Sequence, residues 1–208
     1  MTEPFELLET IRWTPDGGFF LLERHLHRMN QSAAHFHYQC STSRLRARLE
    51  RAVAGSSAAQ RVRLLLAKDG EIRVECTPLD SDAATRMARL GIAASPIDPR
   101  DPFLFHKTTN REVYLHARRP DCDDVVLWNP DRQVTESTIA NIVVDIDGRK
   151  VTPPVRCGLL AGTFRAELLE SGAIQESIVT LDELRAASGV WLINSVREWW
   201  PATLHRDR

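Results

Sequence analysis

The sequence predicts an α/β (α+β) protein with a small N-terminal two-layer domain and a C-terminal barrel-like domain. The first half alternates a strand pair, a helix pair and a second strand pair. The second half has many short strands and only occasional helices, which is typical of a barrel. A segment rich in Pro, Asp and Ser covers residues 78–103 and has the composition of a linker. We therefore place the N-terminal domain with its linker at residues 1–102 and the C-terminal domain at residues 103–208.

The first half is read from turn residues and apolar spacing. The turn Pro15-Asp16-Gly17-Gly18 predicts a hairpin between two strands. Apolar residues at three- and four-residue steps, from Leu22 to Phe36, then predict a helix. A second helix has Ser41 or Thr42 as its cap and ends near Gly55. The predicted elements are strands 5–12 and 18–22, helices 23–38 and 42–54, and a hairpin of strands 61–67 and 71–77.

The second half is read in the same way. Short apolar runs predict strands, and a Gly-containing loop before residue 162 followed by Gly172 marks the start and end of a helix. The predicted elements are a strand 90–94 inside the linker, a helix 109–118, strands 124–128, 139–145 and 150–152, a helix 162–171, a strand 174–179, a helix 181–187 and a strand 189–194.

Composition excludes several classes of protein. The 208 residues include 27 Lys and Arg against 28 Asp and Glu, a net charge of −1, so no basic excess predicts binding to nucleic acid. The N-terminal residues lack the apolar core of a signal peptide, and no apolar run is long enough to span a bilayer. The four cysteines are widely spaced, without a C-x-x-C pair, which indicates reduced thiols. We expect a cytoplasmic protein.

Histidine pairs do not change that picture. His25 and His27, like His35 and His37, are two residues apart, and residues with that spacing do not share a helix face. Such pairs are poor chelators, and we predict no metal site.

Lysine is scarce, and one lysine stands apart. Of the 27 basic residues only three are lysine. Lys68 and Lys150 lie in sequences typical of hairpin turns, where a solvated charge is expected. Lys107 lies in no such turn. An amine can lose its proton and form a Schiff base, whereas arginine can do neither. Composition alone leaves two readings open, a surface charge and a reactive amine.

Three further signals lie in the second half, and each also has an ordinary structural reading. Glu136 stands immediately before a predicted buried strand, either as a strand-end charge or as a ligand contact. A loop containing Gly158 and Gly162 leads into a helix, and helix starts bind phosphate groups well. Asn194-Ser195 ends a strand with short hydrogen-bonding side chains.

The order of these signals carries more information than any one of them. It runs from His25-x-x-Arg28 on a helix to Lys107, then to Thr135-Glu136-x-x-x-x-Asn141, Thr152-Pro153-Pro154 and Gly158-x-x-x-Gly162-Thr163-x-Arg165. This pattern resembles the class IV aminotransferases, the fold type IV enzymes that use pyridoxal 5'-phosphate (PLP). The resemblance covers nearly the whole chain and implies a C-terminal pseudo-barrel.

The resemblance implies a role for each matching residue. Lys107 matches the catalytic lysine that holds PLP as a Schiff base, and Glu136 matches the carboxylate beside the pyridine nitrogen. That pairing agrees with the physics, because the ring takes up electrons only while its nitrogen is protonated and a nearby negative charge favours that form. Asn141 matches a residue that supports the site. The phosphate contacts implied are Arg28, the backbone of Thr163 and Phe164, and Asn194 with Ser195.

The family leaves two main reactions open. Branched-chain transaminases carry a tyrosine five positions after their lysine, where this chain has Glu112. The segment from Phe5 to Trp13 resembles the lyase half found fused to aminodeoxychorismate synthase. We therefore expect a lyase of folate biosynthesis that converts 4-amino-4-deoxychorismate to 4-aminobenzoate and pyruvate. The alternatives are a class IV aminotransferase acting on branched-chain or D-amino acids and a degenerate PLP-binding homologue.

The resemblance also carries expectations about substrate and partners. It implies a small amino substrate, a homodimer and a functional link to aminodeoxychorismate synthase. Thr10 and Arg111 are expected to contact the substrate, although Thr10 is equally a plain strand residue. Full-length family members carry a further segment before the first strand, and its lack here bears on the pocket and the dimer contacts.

Overall fold

The structure is a computed structural model that describes residues 4–80 and 86–205. The signal-peptide prediction therefore rests partly on residues outside the described ranges, as does part of the predicted linker. The chain folds into two compact units. The first combines Met1–Ser81 with His106–Asn110, and the second combines Asp82–Phe105 with Arg111–Arg208. The segment that contains Lys107 thus groups with the first unit, whereas the sequence predicts that it belongs to the second domain.

The first unit contains a four-stranded sheet in the order β2-β1-β3-β4. β1 pairs antiparallel with β3 along nearly its whole length, from Leu7 opposite Leu66 to Trp13 opposite Gln60. The predicted strand 18–22 is much shorter than expected, because Leu21 adopts a left-handed φ of 54° and a helix begins at Leu22. The strands are β1 (Leu7–Thr14), β2 (Gly18–Phe19), β3 (Gln60–Leu66) and β4 (Ile72–Pro78).

Two helices, α1 (Leu22–Phe36) and α2 (Thr42–Val53), pack on this sheet as predicted. Their apolar stripes meet the inward residues of the sheet in one core, because residues three or four apart share a helix face and alternate residues share a strand face. The fully buried members of this core are Leu7, Ile11, Leu26, Met29, Leu45, Leu49, Val62, Leu64 and Leu66.

The segment 106–110 extends the same unit. It runs along the start of β1, where Leu8 N donates to Lys107 O at 2.9 Å and Thr109 N donates to Glu6 O at 2.8 Å. Thr109 Oγ1 also accepts from Glu6 N at 2.9 Å. The predicted helix 109–118 therefore begins later, as α3 (Glu112–His116). The Lys107 backbone is fixed by ordinary strand-like hydrogen bonds.

The second unit contains an eight-stranded sheet in the order β10-β9-β8-β11-β12-β5-β6-β7. The sheet curls into a half-barrel, so Val134 N at one edge donates to Val179 O, beyond the other edge, at 2.7 Å. The predicted mixed fold with a barrel-like second part is confirmed. The strands are β5 (Ala88–Ile92), β6 (Asp124–Trp128), β7 (Val134–Ser137), β8 (Asn141–Ile146), β9 (Arg149–Thr152), β10 (Gln175–Glu176), β11 (Gly189–Asn194) and β12 (Glu198–Leu204).

Two strands of this sheet were not predicted from the sequence. β7 contains Glu136 itself, which was expected just before a strand. β12 contains Pro201, and proline argues against a central strand because it lacks a donor. The structure accommodates it because β12 pairs with β5 only from Ala202 onward, one residue past the proline. Trp200 on the same strand is 2% exposed and fills the half-barrel core.

Two further helices complete the second unit, α4 (Thr163–Glu170) and α5 (Leu181–Ala186). A capping box between Thr180 and Glu183 starts α5, with both backbone N–H groups satisfied by side chains. The predicted strand 174–179 is reduced to β10. Across residues 4–80 and 86–205, no helix combines the length and apolar character needed to cross a membrane.

Candidate active site

In the first unit, the buried carboxylate of Glu9 contacts two basic side chains. Glu9 lies on β1 between the core residues Leu7 and Ile11 and is 1% exposed. Arg28 on α1 grips it with two hydrogen bonds, from Nε at 2.8 Å and Nη2 at 2.6 Å. His25, one turn earlier on the same helix face, contacts Glu9 Oε2 through Nδ1 at 2.7 Å. The guanidinium of Arg28 is therefore held in one orientation by a fixed anion.

The charges in this cluster act strongly on one another. Burial alone would raise the pKa of Glu9, but the charge of Arg28, then that of His25, and the hydrogen bonds from both residues lower it to about 2. Burial lowers the pKa of His25, Glu9 opposes that change, and the positive charges of Arg28 and Lys107 lower the pKa further. Lys107 therefore lies close enough to His25 for its charge to lower the pKa of that residue.

The histidine before Lys107 is also packed. His106 stacks on His35 with ring centroids 4.3 Å apart, and its Nδ1 lies 3.0 Å from Ser32 Oγ on α1. These contacts, with the backbone bonds to β1, hold the residues on both sides of the Lys107 side chain. Such restraint from a second set of contacts is what a reactive group requires for a defined position.

Thr10 lies on the opposite face of the first sheet from Glu9, because successive strand residues point to opposite sides. It pairs with Arg63, and its neighbour in the same register, Arg12, pairs with Arg61. Arg63 also forms an ion pair with Glu75 at 3.1 Å. The structure thus separates Thr10 from the Glu9 cluster and places it on an arginine-rich sheet face.

In the second unit, Glu136 is a carboxylate surrounded by donors. It is 4% exposed at the middle of β7. Its Oε1 accepts from the Tyr114 hydroxyl at 2.9 Å and from Leu160 N at 3.1 Å, and its Oε2 accepts from Asn141 Nδ2 at 3.2 Å. These three donors come from α3, from the loop before α4 and from β8. Hydrogen bonds to a carboxylate favour its ionised form.

Asn141 joins Glu136 to the start of α4. Its Nδ2 also donates to Leu160 O at 2.9 Å. Gly162 is the N-cap of α4, and a Cβ built there would lie only 2.0 Å from Asn141 Oδ1. Glycine is therefore required at this position by close approach. Predicted residues Glu136, Asn141, Thr163 and Phe164 fall into one connected region.

Arg165 fixes the first turn of α4 from the other side. It is buried, and its Nη2 donates to Pro153 O at 2.9 Å and to Glu176 Oε1 at 2.5 Å. Thr152 Oγ1 donates to Ile142 O at 2.8 Å. The Thr152-Pro153-Pro154 and Gly162-Thr163-x-Arg165 motifs thus meet physically, and the helix start is anchored on the half-barrel.

Arg111 and Asn194 make contacts that the sequence did not reveal. Arg111 lies over the ring of Tyr114 at 4.5 Å and donates through Nη2 to Thr138 O. Asn194 uses its side-chain oxygen to accept from the backbone N–H groups of residues 196 and 197, both at 2.9 Å, in the turn that leads to β12. Ser195 beside it is buried. Their predicted roles at substrate and cofactor stay predictions.

Two groups at these sites were missed, Glu9 and Tyr114. A signal existed for Glu9, since a charged residue in the inward register between Leu7 and Ile11 needs a buried partner. Arg28 and His25 are three apart and share the helix face that provides it. Tyr114 gave no comparable signal, because its partner lies 22 positions away on a different element.

The donor chemistry of these residues fits PLP. In the first unit, a cationic guanidinium held by Glu9 suits a phosphate. In the second unit, the start of α4, whose N-cap is Gly162, also suits a phosphate. A buried carboxylate that accepts several hydrogen bonds suits a protonated pyridine nitrogen. Lys107 offers a primary amine, the group that bonds to an aldehyde.

Comparison with known proteins agrees with this chemistry. The model of the family described as amino-transferase class IV matches residues 6–204. A Schizosaccharomyces pombe protein named "Putative aminodeoxychorismate lyase" is 34% identical, covering 94% of this chain and 88% of its own. A crystal structure named "Putative amino-acid aminotransferase" from Mesorhizobium loti is 37% identical with a TM-score of 0.91, covering 97% of this chain and 100% of its own.

A more distant relative represents the transaminase branch. The "Probable branched-chain-amino-acid aminotransferase" of Thermotoga maritima is 26% identical, covering 92% of this chain and 72% of its own. The extent of the family match, over nearly the whole sequence, fixes the classification. The chain belongs to the class IV aminotransferases and is a PLP-dependent enzyme.

Proposed function

We propose that this enzyme is an aminodeoxychorismate lyase, which converts 4-amino-4-deoxychorismate to 4-aminobenzoate and pyruvate. The observation that carries the proposal is the 34% identity to the fission-yeast protein over 94% of the chain. Glu112, five positions after Lys107, supports it, because the resemblance to branched-chain transaminases would require a tyrosine there.

Lys107 is the proposed catalytic residue. PLP, when bound, supplies an aldehyde that takes the substrate amine and a ring that accepts electrons from the breaking bond. Lys107 would hold the cofactor, and with substrate bound its amine would act as a general base that removes the proton from C4 of the substrate. Its restrained backbone limits the range of positions that the amine samples.

The reaction balances without any further reactant. Loss of the C4 proton and cleavage of the C3–O bond make the six-membered ring aromatic, and the leaving group is enolpyruvate. A proton returned to its methylene carbon, from Lys107 or from solvent, gives pyruvate. No water, oxidant or reductant is consumed, so the proposed site needs only one group that both takes and gives a proton.

Glu136 and Asn141 have the supporting role in this proposal. Glu136 keeps the ring nitrogen of PLP protonated, and the hydrogen bonds from Asn141 and Leu160 hold its carboxylate in place. The phosphate is assigned to Arg28, to the backbone N–H groups of Thr163 and Phe164, and to Asn194 with Ser195. A guanidinium and a helix start are the expected grip for that group.

The substrate carries two carboxylates, and arginines are the natural groups to meet them. Thr10 belongs to a sheet face that also presents Arg12, Arg61 and Arg63. Arg111 is the second proposed substrate residue. These assignments are consistent with a doubly charged substrate.

The deciding experiment pairs two assays on one PLP-loaded preparation. Aminodeoxychorismate is supplied and both pyruvate and 4-aminobenzoate are measured. In parallel, branched-chain, D- and L-amino acids are offered with 2-oxoglutarate. The proposal expects stoichiometric pyruvate and 4-aminobenzoate. Keto acid and glutamate from the second assay, with nothing from the first, would overturn it.

A class IV aminotransferase is the second candidate. It is favoured by the 37% identity to the Mesorhizobium loti structure and by the Thermotoga maritima relative. Transamination uses the same lysine and carboxylate, so Lys107 and Glu136 do not separate the two reactions. Binding of PLP with activity in neither assay would instead identify a degenerate homologue.

We further propose a cytoplasmic homodimer that works beside aminodeoxychorismate synthase. Cytoplasmic location is consistent with the four cysteines, which all lie in the described ranges as free thiols. Light scattering tests the dimer, and a coupled assay with the synthase tests the link. A monomer with full lyase activity would remove the dimer from the proposal.

A further inference from the structure

Tyr114 makes a contact that packing does not require. It is 8% exposed on α3, and its ring lies in an apolar cluster with Leu104, Val125 and Leu127. Packing of that kind depends on the ring and would be supplied equally by phenylalanine. The hydroxyl nevertheless points at the buried carboxylate of β7 and donates to Glu136 Oε1 at 2.9 Å.

The contact is directional, because the Tyr114 hydroxyl keeps its proton. Burial, the negative charge of Glu136 and the hydrogen bond to Glu136 all raise the pKa of Tyr114 well above its ordinary value. The hydroxyl therefore acts as the donor in this contact, and Glu136 as the acceptor. A hydrogen bond donated to an ionised carboxylate lowers the affinity of that carboxylate for a proton.

The position of the donor is also fixed from two sides. The Arg111 guanidinium lies 4.5 Å over the Tyr114 ring, and Arg111 is itself tied to the carbonyl of Thr138, two residues beyond Glu136. Two contacts thus join the start of α3 to the end of β7. One runs from Tyr114 to Glu136, and the other runs from Arg111 to Thr138. Rotation of the phenol away from Glu136 would disturb both elements.

We propose that Tyr114 is a positioning residue that orients the Glu136 carboxylate and keeps a proton on the ring nitrogen of PLP rather than on Glu136. The inference rests on the proposed pairing of Glu136 with that nitrogen. The proton can reside on either of two groups, the Glu136 carboxylate or the ring nitrogen. A donor on the carboxylate makes the carboxylate the weaker base, so the proton stays on the ring.

The test uses Tyr114→Phe, which removes one hydroxyl and keeps the ring. Tyr38→Phe is a matched control, because Tyr38 is the other tyrosine of the chain and its hydroxyl donates to Phe5 O, a backbone group in the first unit. Each purified apo-protein is titrated with PLP and with an analogue that has a C–H group in place of the ring nitrogen.

The proposal expects Tyr114→Phe to weaken PLP binding about tenfold and to leave binding of the analogue within about twofold, since a hydrogen bond to a charged group has about that effect. Tyr38→Phe should change neither. Equal weakening for both ligands would show a structural role only and would overturn the inference, as would no change for either.

A spectroscopic readout distinguishes failure of this inference from failure of the proposed Glu136 role. With PLP labelled with nitrogen-15 in the ring, Tyr114→Phe should move the nitrogen signal of the bound cofactor from the protonated toward the neutral position. Glu136→Gln should move it further. If Glu136→Gln leaves the signal unchanged, the pairing of Glu136 with the ring is wrong. If only Tyr114→Phe has no effect, the pairing stands and Tyr114 is not its positioning residue.

Discussion

Each unit of this protein contains a buried carboxylate that contacts candidate site residues, and these two carboxylates, Glu9 and Glu136, are held differently. Glu9 in the first unit is gripped by the charged side chain of Arg28 and by His25. Glu136 in the second unit receives hydrogen bonds from a phenol, an amide and a backbone N–H, which are neutral donors. The contacts of the first carboxylate thus include a cation, whereas these three contacts of the second come from neutral groups.

This contrast agrees with the roles that we propose for the two carboxylates. An anion paired with a buried guanidinium fixes that guanidinium, so Glu9 acts through Arg28. In the proposed function Glu136 lies beside a protonated ring nitrogen, and an opposite charge nearby favours that protonated form. The same side-chain type thus positions a cation in one unit and is proposed to pair with the cofactor ring in the other.

The largest loss of activity is expected on substitution of Lys107, because no other group of the proposed site is an amine. Lys107→Arg keeps the positive charge near Glu9 but cannot form a Schiff base, so turnover should fall by at least about 10³-fold. The measurement is pyruvate release by PLP-loaded protein. Lys68→Arg, in a turn of the first unit, is the control and should keep full activity. Activity in Lys107→Arg within about tenfold of the parent would refute the role of the amine.

Glu9→Gln tests the charged half of the comparison. It leaves the mostly buried Arg28 without its anion, and breaking a buried ion pair in this way costs about 3 kcal/mol of unfolding free energy. Denaturant unfolding of the apo-protein measures the loss. The control is Glu75→Gln, which breaks the half-exposed pair with Arg63 and should cost at most about 1 kcal/mol. Similar losses in both variants would mean that burial gives the Glu9 pair no special weight.

The free energy of unfolding at acidic pH should also depend on the Glu9 ion pair. The pKa of Glu9 is about 2 in the folded protein against an ordinary value of 4.5. A depressed pKa stabilises the fold above the ordinary value, and that contribution disappears as the pH falls through the folded value. The parent should therefore lose about 3 kcal/mol more than Glu9→Gln as the pH falls from the ordinary value to the folded one. Parallel stability curves for the two proteins would contradict the ion pair.

Gly162→Ala tests the neutral half with a smaller effect. The new Cβ would press on Asn141 Oδ1. The Nδ2 of the same amide donates to Glu136 Oε2 and to Leu160 O, so both hydrogen bonds would be disturbed. We expect a loss of about 1–3 kcal/mol in unfolding free energy and weaker PLP binding, as for overpacking of a buried site. In an Asn141→Ala background the same change should cost almost nothing. An additive double variant would show that the strain lies elsewhere.

The fold was largely predictable because its signals are local. The apolar spacing from Leu22 to Phe36 and the turn residues of the first hairpin depend only on near neighbours, and the structure confirms both elements. β12 was missed because Pro201 opposes a strand locally, while its pairing with β11 and β5 is decided at distant positions. Local propensity fails where pairing between distant segments decides the structure.

The residues of the candidate site were likewise predictable where the signal is local and not where it depends on distant partners. Lys107 and Glu136 could be proposed because composition and motif order mark them in the sequence. Tyr114 and Glu9 were missed because their importance comes from partners 22 and 19 positions away, through helix packing against a strand. Asn194 shows the converse, since a residue chosen from its motif uses its side chain in a local turn.

The most direct test of the central claim is the site at which PLP bonds to the protein. The purified protein is loaded with PLP, reduced with borohydride and digested, and the modified peptide is identified by mass spectrometry. With only three lysines in the chain, each candidate is separately observable. We expect a single pyridoxyl group on Lys107, together with visible absorbance that Lys107→Ala abolishes. Modification of Lys68 or Lys150 instead, or absorbance that survives in Lys107→Ala, would contradict it.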